Sequence, residues 1–560
     1  MAEIRNRNLG EIYTPQCVSV MLRDQVNSVL PNFEKDFLIW DSCWGEGNLT
    51  RPLNADDLWC STLREQDIID NASENGEKFT YDFLNEDVDI LESLQMMWNA
   101  EYKNLPEHIV NVLDRGEFSG PEDDKPILFY INPPYVGVGV FGANNMEFRD
   151  GATDCLIKDL MNKDKCGTAS SQAYIQFMYR ILRMKQIYSN KRIYVALVSP
   201  STFMCTGGFQ SFREFWLKEF KFMSGKLFCA NTFNGLNNRW GITTTVWGPV
   251  EDLGANTDEE KHNFKFDIMK QSEDGSKMVK IGSKTLYNID GLARGNDLAK
   301  ESNLKSELEV APITCSSGAV VKNKKRVLWN KDSIGYMFFK GNNIYHNVTE
   351  IGLMSVPYSD GSGASITVEN VLDVLTLFAS KGSVGVYGRT WTNDKDEYMY
   401  PNKEHKDWRK LQMNSVLYAL FNDSTHFSCL DTPYGKIENH FYYGDDSTKF
   451  GKKLLDEALE SGLIFESGQK LLEEAERLHK KCEPYLEKGG EFDSKYPKYQ
   501  VWQKEAGYYQ WKWILKEYFE EDYKDFRKVY RAFSDDIKEL IYDVGFLKNR
   551  GVGLNGEWFE

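Results

Sequence analysis

The chain has 560 residues, of which 41% are hydrophobic and 27% charged, and a formal net charge of −17. This length predicts two or three domains rather than a single core. No apolar run approaches the ~20 residues that span a bilayer, so a membrane protein is not expected. The acidic balance disfavours a wide non-specific nucleic-acid surface, although it permits a local basic cleft.

Targeting and cysteine usage point to the same compartment. The first residues, MAEIRNRNLGEIYTP, contain no hydrophobic segment, so no signal peptide is expected. The ten cysteines are scattered, without a CxxC pair or an obvious His/Cys cluster. This pattern predicts free thiols in a reducing cytoplasm and no metal site.

Strand-like and helix-like segments alternate from about residue 10 to residue 250. The spacing of apolar residues predicts helices in TPQCVSVMLRDQVNSVL and in SSQAYIQFMYRILRMKQIY. Short apolar or β-branched runs predict strands at FLIW (37–40), LWCST (58–62), ILFYI (127–131), RIYVALVSP (192–200) and ITTTVWG (242–248). The alternation predicts an α/β fold, a Rossmann-like doubly wound domain over residues 1–255 with a mostly parallel sheet.

The remaining chain is predicted to form two further regions. The polar segment EDLGANTDEEKHN (251–263) is interpreted as a linker or a long hairpin. Short strands and Gly/Asn/Ser turns then predict a mixed α+β domain over residues 256–440. Residues 441–560 have a helical composition and are expected to form a helical C-terminal region.

One candidate ligand site follows the first predicted strand. In FLIWDSCWGEGNLT (37–50), an acidic residue is followed by Gly45 and Gly47, which are expected to open a helix. A glycine turn lets backbone N–H groups approach a ligand at the positive end of a helix. A full GxGxxG is missing, because Thr50 stands where the third glycine would be.

A second candidate site is YINPPYVG (130–137), which follows the apolar run ILFYI. Pro133 and Pro134 must end the strand because neither has an N–H to donate. Asn132 and Tyr135 are therefore expected at the carboxyl end of a strand, where open α/β sheets bind ligands. An amide oxygen and a backbone carbonyl can accept from both N–H bonds of an aromatic amine, and thereby localise its lone pair.

Four segments occur together in the order GEIYTPQ (10–16), DSCWGEGN (41–48), YDFLNED (81–87) and NPPY (132–135). In this combination the sequence resembles the S-adenosylmethionine-dependent N6-adenine DNA methyltransferases. The resemblance covers residues 10–250 and extends more loosely to NSVLYALFND (414–423) and to the YDVGFL segment near the C-terminus. It implies S-adenosylmethionine as cofactor, double-stranded DNA as partner, and methylation of an adenine flipped out of the duplex. It also implies a target-recognition domain at 256–440 and a DNA clamp or partner-docking role for 441–560.

The resemblance also implies roles for individual residues. The catalytic tetrad is Asn132, Pro133, Pro134 and Tyr135, in which Tyr135 stacks on the target base. Cofactor binding falls to Tyr13, Thr14, Pro15, Asp41, Trp44, Gly45, Gly47, Asn48, Glu65, Asp82 and Phe83. Trp44 departs from the small or cysteine residue expected at its position. The carboxylate that holds the cofactor ribose is expected to be Glu65, with Asp67 as the competing candidate.

Further residues are predicted to contact DNA. Phe233 and Trp240 are candidates for sandwiching the flipped base. The densest basic run supplies Lys322, Lys324, Lys325 and Arg326, and Arg389 lies between aromatic residues. KYPKYQVWQK (495–504) also interleaves lysines with aromatic residues. The glycine-rich VGVGVFGANN is expected to be a mobile loop over the site.

Two alternative functions stay open at this stage. The same tetrad can polarise an RNA adenine or a protein glutamine amide, and a catalytically silent DNA-binding subunit would share the fold. About ten residues precede the Tyr-Thr-Pro segment, so no N-terminal nuclease domain is expected. This favours a stand-alone modification enzyme in the cytoplasm of a bacterial or phage-infected cell. Further partners would be a restriction or specificity subunit, or a second copy of the chain.

Overall fold

The computed structural model describes residues 13–92, 103–113, 125–135, 155–187, 192–300, 307–313, 320–321, 326–330, 332–344, 350–358, 363–388, 390–393, 395–427, 430–432, 435–437, 439, 450–499, 507–548 and 552–553. The chain forms two compact units. The first comprises residues up to Asp290, together with Thr390–Asp396 and the C-terminal segment from Arg550. The second comprises Gly291–Arg389 and Glu397–Asn549.

The first unit is built on one large sheet. Its strands are β1 (Leu38–Asp41), β2 (Leu58–Thr62), β3 (Glu77–Thr80), β4 (Ile127–Ile131), β5 (Ile193–Pro200), β6 (Phe220–Cys229), β7 (Gly241–Pro249), β8 (Asn263–Gln271) and β9 (Met278–Tyr287). Its helices are Gln16–Val29, Phe33–Asp36, Glu65–Asp70, Asp89–Glu92, Glu107–Leu113, Leu156–Lys163, Ala173–Ile187, Thr202–Cys205, Gln210–Glu219, Val250–Leu253 and Asp258–His262.

The strands of the second unit are β10 (Glu307–Val310), β11 (Val327–Asn330), β12 (Gly335–Phe339), β13 (Ile351–Met354), β14 (Gly363–Ile366), β15 (Thr425–His426), β16 (Leu430–Thr432) and β17 (Gly435–Ile437). Its helices are Val371–Gly388, Trp408–Leu420, Phe450–Glu460, Glu466–Cys482, Glu491–Lys495, Tyr508–Tyr518 and Glu520–Asp543. A last short strand, β18 (Val552–Gly553), belongs to the first unit.

The large sheet has the strand order β18-β9-β8-β6-β7-β5-β4-β1-β2-β3. Strands β1 to β5 are mutually parallel, whereas β7 lies antiparallel to both β5 and β6. Because parallel strands end at the same edge, the residues that follow β1, β2 and β4 meet at one side of the sheet. This topology confirms the predicted α/β fold class with a doubly wound, mostly parallel sheet.

Both faces of the sheet are covered, as strand β4 illustrates. All five residues of ILFYI are fully buried. Ile127, Phe129 and Ile131 point into a core that includes helix Ala173–Ile187. Leu128 and Tyr130 point into the opposite core, against helix Gln16–Val29. A strand buried on both faces must be continuously apolar, which is why this run predicted a strand of the sheet interior.

The sheet continues past the predicted domain boundary at residue 255. The polar segment 251–263 contains two short helices, and Thr257 caps the second with a capping box to Glu260. It leads into β8 and β9, which pair with each other and extend the same sheet. The first unit therefore runs to Asp290.

The second unit combines small sheets with a helical core. Strands β14-β12-β13-β15 form a four-stranded sheet, and β10-β11 and β16-β17 form two antiparallel pairs. In helix Glu520–Asp543, the buried residues recur at helical spacing: Phe526, Tyr530, Phe533, Ile537, Leu540 and Ile541. Among the described residues, none of the helices is both long and apolar enough to span a membrane.

Candidate functional site

A cavity of about 300 Å³ lies at the carboxyl edge of β1, β2 and β4. Its volume is at the lower end of the range of ligand pockets. Its wall is contributed by the Tyr-Thr-Pro segment, the glycine turn, the end of β2, residues 81–84 and the residues after β4. The lining residues are Tyr13, Thr14, Asp41, Ser42, Cys43, Trp44, Gly45, Glu46, Asn48, Leu49, Thr62, Leu63, Arg64, Asp67, Tyr81, Asp82, Phe83, Leu84, Asn132, Pro134 and Phe177.

The glycine turn is shaped by Trp44. Gly45 and Gly47 have φ of +55° and +75°, a conformation that L side chains rarely adopt. The Trp44 ring packs so close to Gly47 that an added Cβ would lie 2.8 Å from it. The indole N–H donates to the Thr50 hydroxyl at 3.1 Å, and the ring is 3% exposed. Trp44 therefore fills the space beneath the turn while also lining the cavity.

The helix predicted after this turn is not formed. Residues 48–52 make successive turns instead of a helix. Pro52 has no N–H to donate and its ring clashes with a preceding helical turn, so a helix cannot propagate through this position. The residues that follow β1 therefore border the cavity as a turn and not as the positive end of a helix.

Asp41 is a buried carboxyl group at the end of β1. Its side chain is 1% exposed, and the backbone N–H of Cys43 donates to Oδ1 at 3.1 Å. Burial raises the pKa of Asp41 to about 7, and the Cys43 hydrogen bond opposes that shift only in part. A cationic ligand group in the cavity would favour the ionised form of this carboxyl.

The residues after β4 form a hydrogen-bonded group. Asn132 donates from Nδ2 to the Thr14 hydroxyl at 2.8 Å, and the Tyr135 hydroxyl donates to Asn132 Oδ1 at 2.5 Å. Burial raises the pKa of Tyr135 well above its ordinary value, so the phenol is protonated and can donate. Pro134 lines the cavity beside Asn132, whereas Pro133 and Pro15 lie outside its lining.

Asp82 and Phe83 belong to a tightly held segment. The Asp82 carboxylate accepts from the Leu84 backbone N–H at 3.0 Å and from the Asn85 amide at 2.8 Å. Phe83 stacks on Phe177, with ring centroids 5.5 Å apart. The Arg180 guanidinium lies 4.9 Å from the Phe83 ring on a buried side chain. Both cavity-lining residues are thus fixed before any ligand binds.

The carboxylate nearest the end of β2 is Asp67. It lines the cavity and accepts from the Thr62 hydroxyl at 2.9 Å and from Arg64 Nε at 3.2 Å. Glu65 is exposed at the start of helix Glu65–Asp70 and does not line the cavity. Of the two carboxylates predicted near the end of β2, Asp67 lines the cavity, whereas the helical turn carries Glu65 outward into solvent.

Phe233 and Trp240, the two residues predicted to sandwich the flipped base, lie outside the cavity lining. Phe233 is fully buried and stacks on Phe228, with ring centroids 6.1 Å apart, so its ring packs in the core. Trp240 is half-buried and packs against the same core, outside the cavity lining. Arg326 is exposed and donates to the Glu309 carbonyl at 2.8 Å. Four predicted residues and the glycine-rich loop lie outside the described residues: Lys322, Lys324, Lys325, Arg389 and 136–145.

Sequence reasoning missed several lining residues. Leu63 follows β2 directly and is 64% exposed at the cavity lip, an unusual position for a large apolar side chain. Phe177 reaches the cavity from helix Ala173–Ile187, and its helical pattern gave no reason to separate it from other core residues. Cys43 and Arg64 also line the cavity.

No protein-family model and no curated protein matches this sequence. Among solved structures, the chain is similar to a DrdV–DNA complex at 17% identity and a TM-score of 0.29, over 47% of this chain and 28% of that chain. It is similar to the ATP-dependent Type ISP restriction-modification enzyme LlaBIII bound to DNA at 12% identity and a TM-score of 0.30, over 46% and 20% of the two chains.

A third similarity is to a type I restriction-modification system methyltransferase subunit from Streptococcus thermophilus. It has 14% identity and a TM-score of 0.27, over 48% of this chain and 50% of that chain. The chain thus spans from a fifth to a half of the length of these solved chains. Because the TM-scores are this low, we infer the activity of the chain from its own cavity and motifs.

Proposed function

We propose that this chain is a DNA methyltransferase that methylates the N6 amine of an adenine flipped out of duplex DNA, with S-adenosylmethionine as the methyl donor. The observation that carries the proposal is the shared cavity at the sheet edge. Residues of the glycine turn after β1, the 81–84 segment, Asn132 and Pro134 all line it. A cofactor site and a polarising amide that share one cavity are what a transfer between two bound molecules requires.

The lining residues fit S-adenosylmethionine. Asp41 is a buried carboxyl that would pair with a cationic group, and Asp82 offers acceptor oxygens to an adenine amine. Phe83 and Phe177 supply apolar ring surface for a purine, and Asp67, which lines the cavity, would accept from the ribose hydroxyls. When bound, the cofactor supplies an electrophilic methyl group on a sulfonium.

The residues after β4 would act on the target amine. The exocyclic amine of adenine is a poor nucleophile because its lone pair is delocalised into the ring. Asn132 Oδ1 and the Pro133 carbonyl accept from its two N–H bonds and so localise the lone pair. The consecutive prolines keep these acceptors still. Tyr135 provides stacking worth ~1–3 kcal/mol per base for a base that has left the duplex.

Duplex DNA is the proposed partner. Reading a target sequence requires groups that contact phosphates and base edges. The proposal assigns this role to the region 256–440, in which Arg326 is exposed, and a clamp or partner-docking role to 441–560. Because only part of the basic run lies among the described residues, the remaining basic contacts stay predictions.

The test is the methylation state of plasmid DNA from cells that express the chain, read by single-molecule sequencing. We expect N6-methyladenine in one short motif, and its loss in Asn132→Ala. Asn263→Ala removes an amide outside the cavity lining in the same unit and is expected to preserve methylation. Isothermal calorimetry should show that Asn132→Ala still binds S-adenosylmethionine.

Three outcomes would contradict the proposal. Unmodified DNA together with labelled RNA or protein, after incubation with methyl-labelled cofactor, would redirect the activity to another planar amino group. Cofactor and DNA binding without any labelled product would indicate a catalytically silent subunit. Full activity of Asn132→Ala would remove Asn132 from the mechanism.

A further inference from the structure

We propose that Thr14 is a positioning residue for Asn132, whose amide it orients so that the oxygen faces the target amine. This inference rests on the proposed function. It gives the Tyr-Thr-Pro segment a role in the transfer step, in addition to the predicted role in closing the cofactor pocket. The two residues are 118 positions apart in sequence and meet only through the fold.

The contact itself is short and shielded. Asn132 Nδ2 donates to Thr14 Oγ1 at 2.8 Å, and Thr14 is 7% exposed. Both residues line the cavity. Because Thr14 is buried, its hydroxyl is held in one place, and the hydrogen bond restrains the Asn132 side chain. The Asn132 amide is therefore held between two hydroxyls before a substrate arrives, with Nδ2 on Thr14 and Oδ1 on Tyr135.

Thr14 is itself rigidly mounted. Pro15 follows it with φ of −63°, and its carbonyl accepts from the first turn of helix Gln16–Val29. The Ser19 hydroxyl of that helix donates to the Asn48 carbonyl at 2.8 Å, which ties the helix to the glycine turn. Proline at this position restricts Thr14 to an extended backbone conformation. Thr14 is thus fixed relative to the glycine turn, and its hydroxyl in turn fixes the position of the Asn132 amide.

The orientation matters because the two ends of an amide have opposite hydrogen-bonding roles. The nitrogen only donates and the oxygen only accepts. With Nδ2 held by Thr14, Oδ1 points at a donor, which in this structure is the Tyr135 hydroxyl at 2.5 Å. We infer that this hydroxyl occupies the place that an N–H of the target amine takes in the complex. A rotated amide would present N–H groups to that amine and repel it.

The test compares Thr14→Val, which keeps the shape but removes the acceptor, with Thr14→Ser, which retains a hydroxyl. At saturating cofactor we expect Thr14→Val to lower kcat about tenfold, the effect of one lost neutral hydrogen bond. KM for DNA should stay within about threefold, so that the loss falls on kcat, and Thr14→Ser should restore kcat. The matched control is Thr243→Val. It removes a buried hydroxyl that donates to the Ser199 carbonyl, and both residues lie outside the cavity lining. Wild-type kcat in Thr14→Val, or equal impairment of Thr14→Val and Thr14→Ser, would overturn the proposal.

A second measurement needs no methyl transfer. Melting temperatures are compared for Thr14→Val, Asn132→Ala and the double variant. Because both changes remove the same hydrogen bond, their effects should be less than additive. Additive shifts would overturn the positioning role even if the enzyme methylates DNA. If the shifts are non-additive but the protein methylates no substrate, the contact between Thr14 and Asn132 is supported and the proposed function is contradicted instead.

Discussion

The conformation of Gly47 provides a sharp test of how the glycine turn is built. Gly47→Ala places a Cβ on a residue with φ of +75°, which costs ~1–2 kcal/mol for an L-residue. The same Cβ would lie 2.8 Å from the Trp44 ring. That ring is buried and bonded to Thr50, so it cannot move aside freely. Overpacking of this kind costs a further ~1–3 kcal/mol, for a total of about 2–5 kcal/mol.

Gly275 is a matched control in the same unit. It has φ of +74°, but an added Cβ would meet only Gln271 Nε2 at an ordinary 3.5 Å. Gly275→Ala therefore carries the backbone cost of ~1–2 kcal/mol without the packing cost. It lies in the hairpin between β8 and β9, outside the cavity lining. The difference between the two variants isolates the contact with Trp44.

Scanning calorimetry of the wild type and both variants measures the destabilisation, and isothermal calorimetry measures S-adenosylmethionine binding. We expect Gly47→Ala to lower the melting temperature clearly more than Gly275→Ala does. Cofactor affinity should fall at least about tenfold in Gly47→Ala, because 1.4 kcal/mol of distortion at the site suffices for that factor. It should be unchanged in Gly275→Ala. Equal destabilisation by both variants would refute the packing of Trp44 beneath the turn.

Further predictions concern the carboxylates of the cavity. Since Asp41 has a pKa of about 7 and a cationic ligand favours its ionised form, cofactor affinity should rise about tenfold from pH 6 to pH 8, and Asp41→Asn should abolish this dependence in calorimetry. Without ligand, the raised pKa means that the folded state retains a proton which the unfolded state loses near pH 4. Unfolding experiments should therefore show this contribution to stability declining from about pH 4 to pH 7 in wild type but not in Asp41→Asn. Asp82→Ala should weaken cofactor binding ~10–100-fold through loss of a charged acceptor, and unchanged binding would contradict its assignment. Asp67→Asn should weaken cofactor binding whereas Glu65→Gln should not, and the reverse result would return the ribose contact to Glu65.

Local patterns were sufficient for the fold class and for the strand ends that border the cavity. The continuous apolar run 127–131 predicted a strand buried on both faces, and the prolines after it predicted where that strand ends. Parallel strands share an edge, so the segments after β1 and β4 border one cavity. The structure brings Asp41, Asn132 and Asp82 to the lining of that cavity.

Local patterns did not predict which side chains are buried in the core and which line the cavity. Phe233 was a candidate for the target base, but its ring is enclosed by the core, because exposure depends on what packs from distant segments. Which of Glu65 and Asp67 lines the cavity depended on how a single helical turn rotates after β2. Phe177 reaches the cavity from a helix that otherwise packs in the core.

The sequence by itself determined which backbone segments end at the sheet edge, because strand and turn preferences are local. Only the tertiary structure decided which side chains meet there. The bond between Thr14 and Asn132 joins residues that no local pattern relates, and it exists because the helix after Thr14 and the end of β4 border the same cavity.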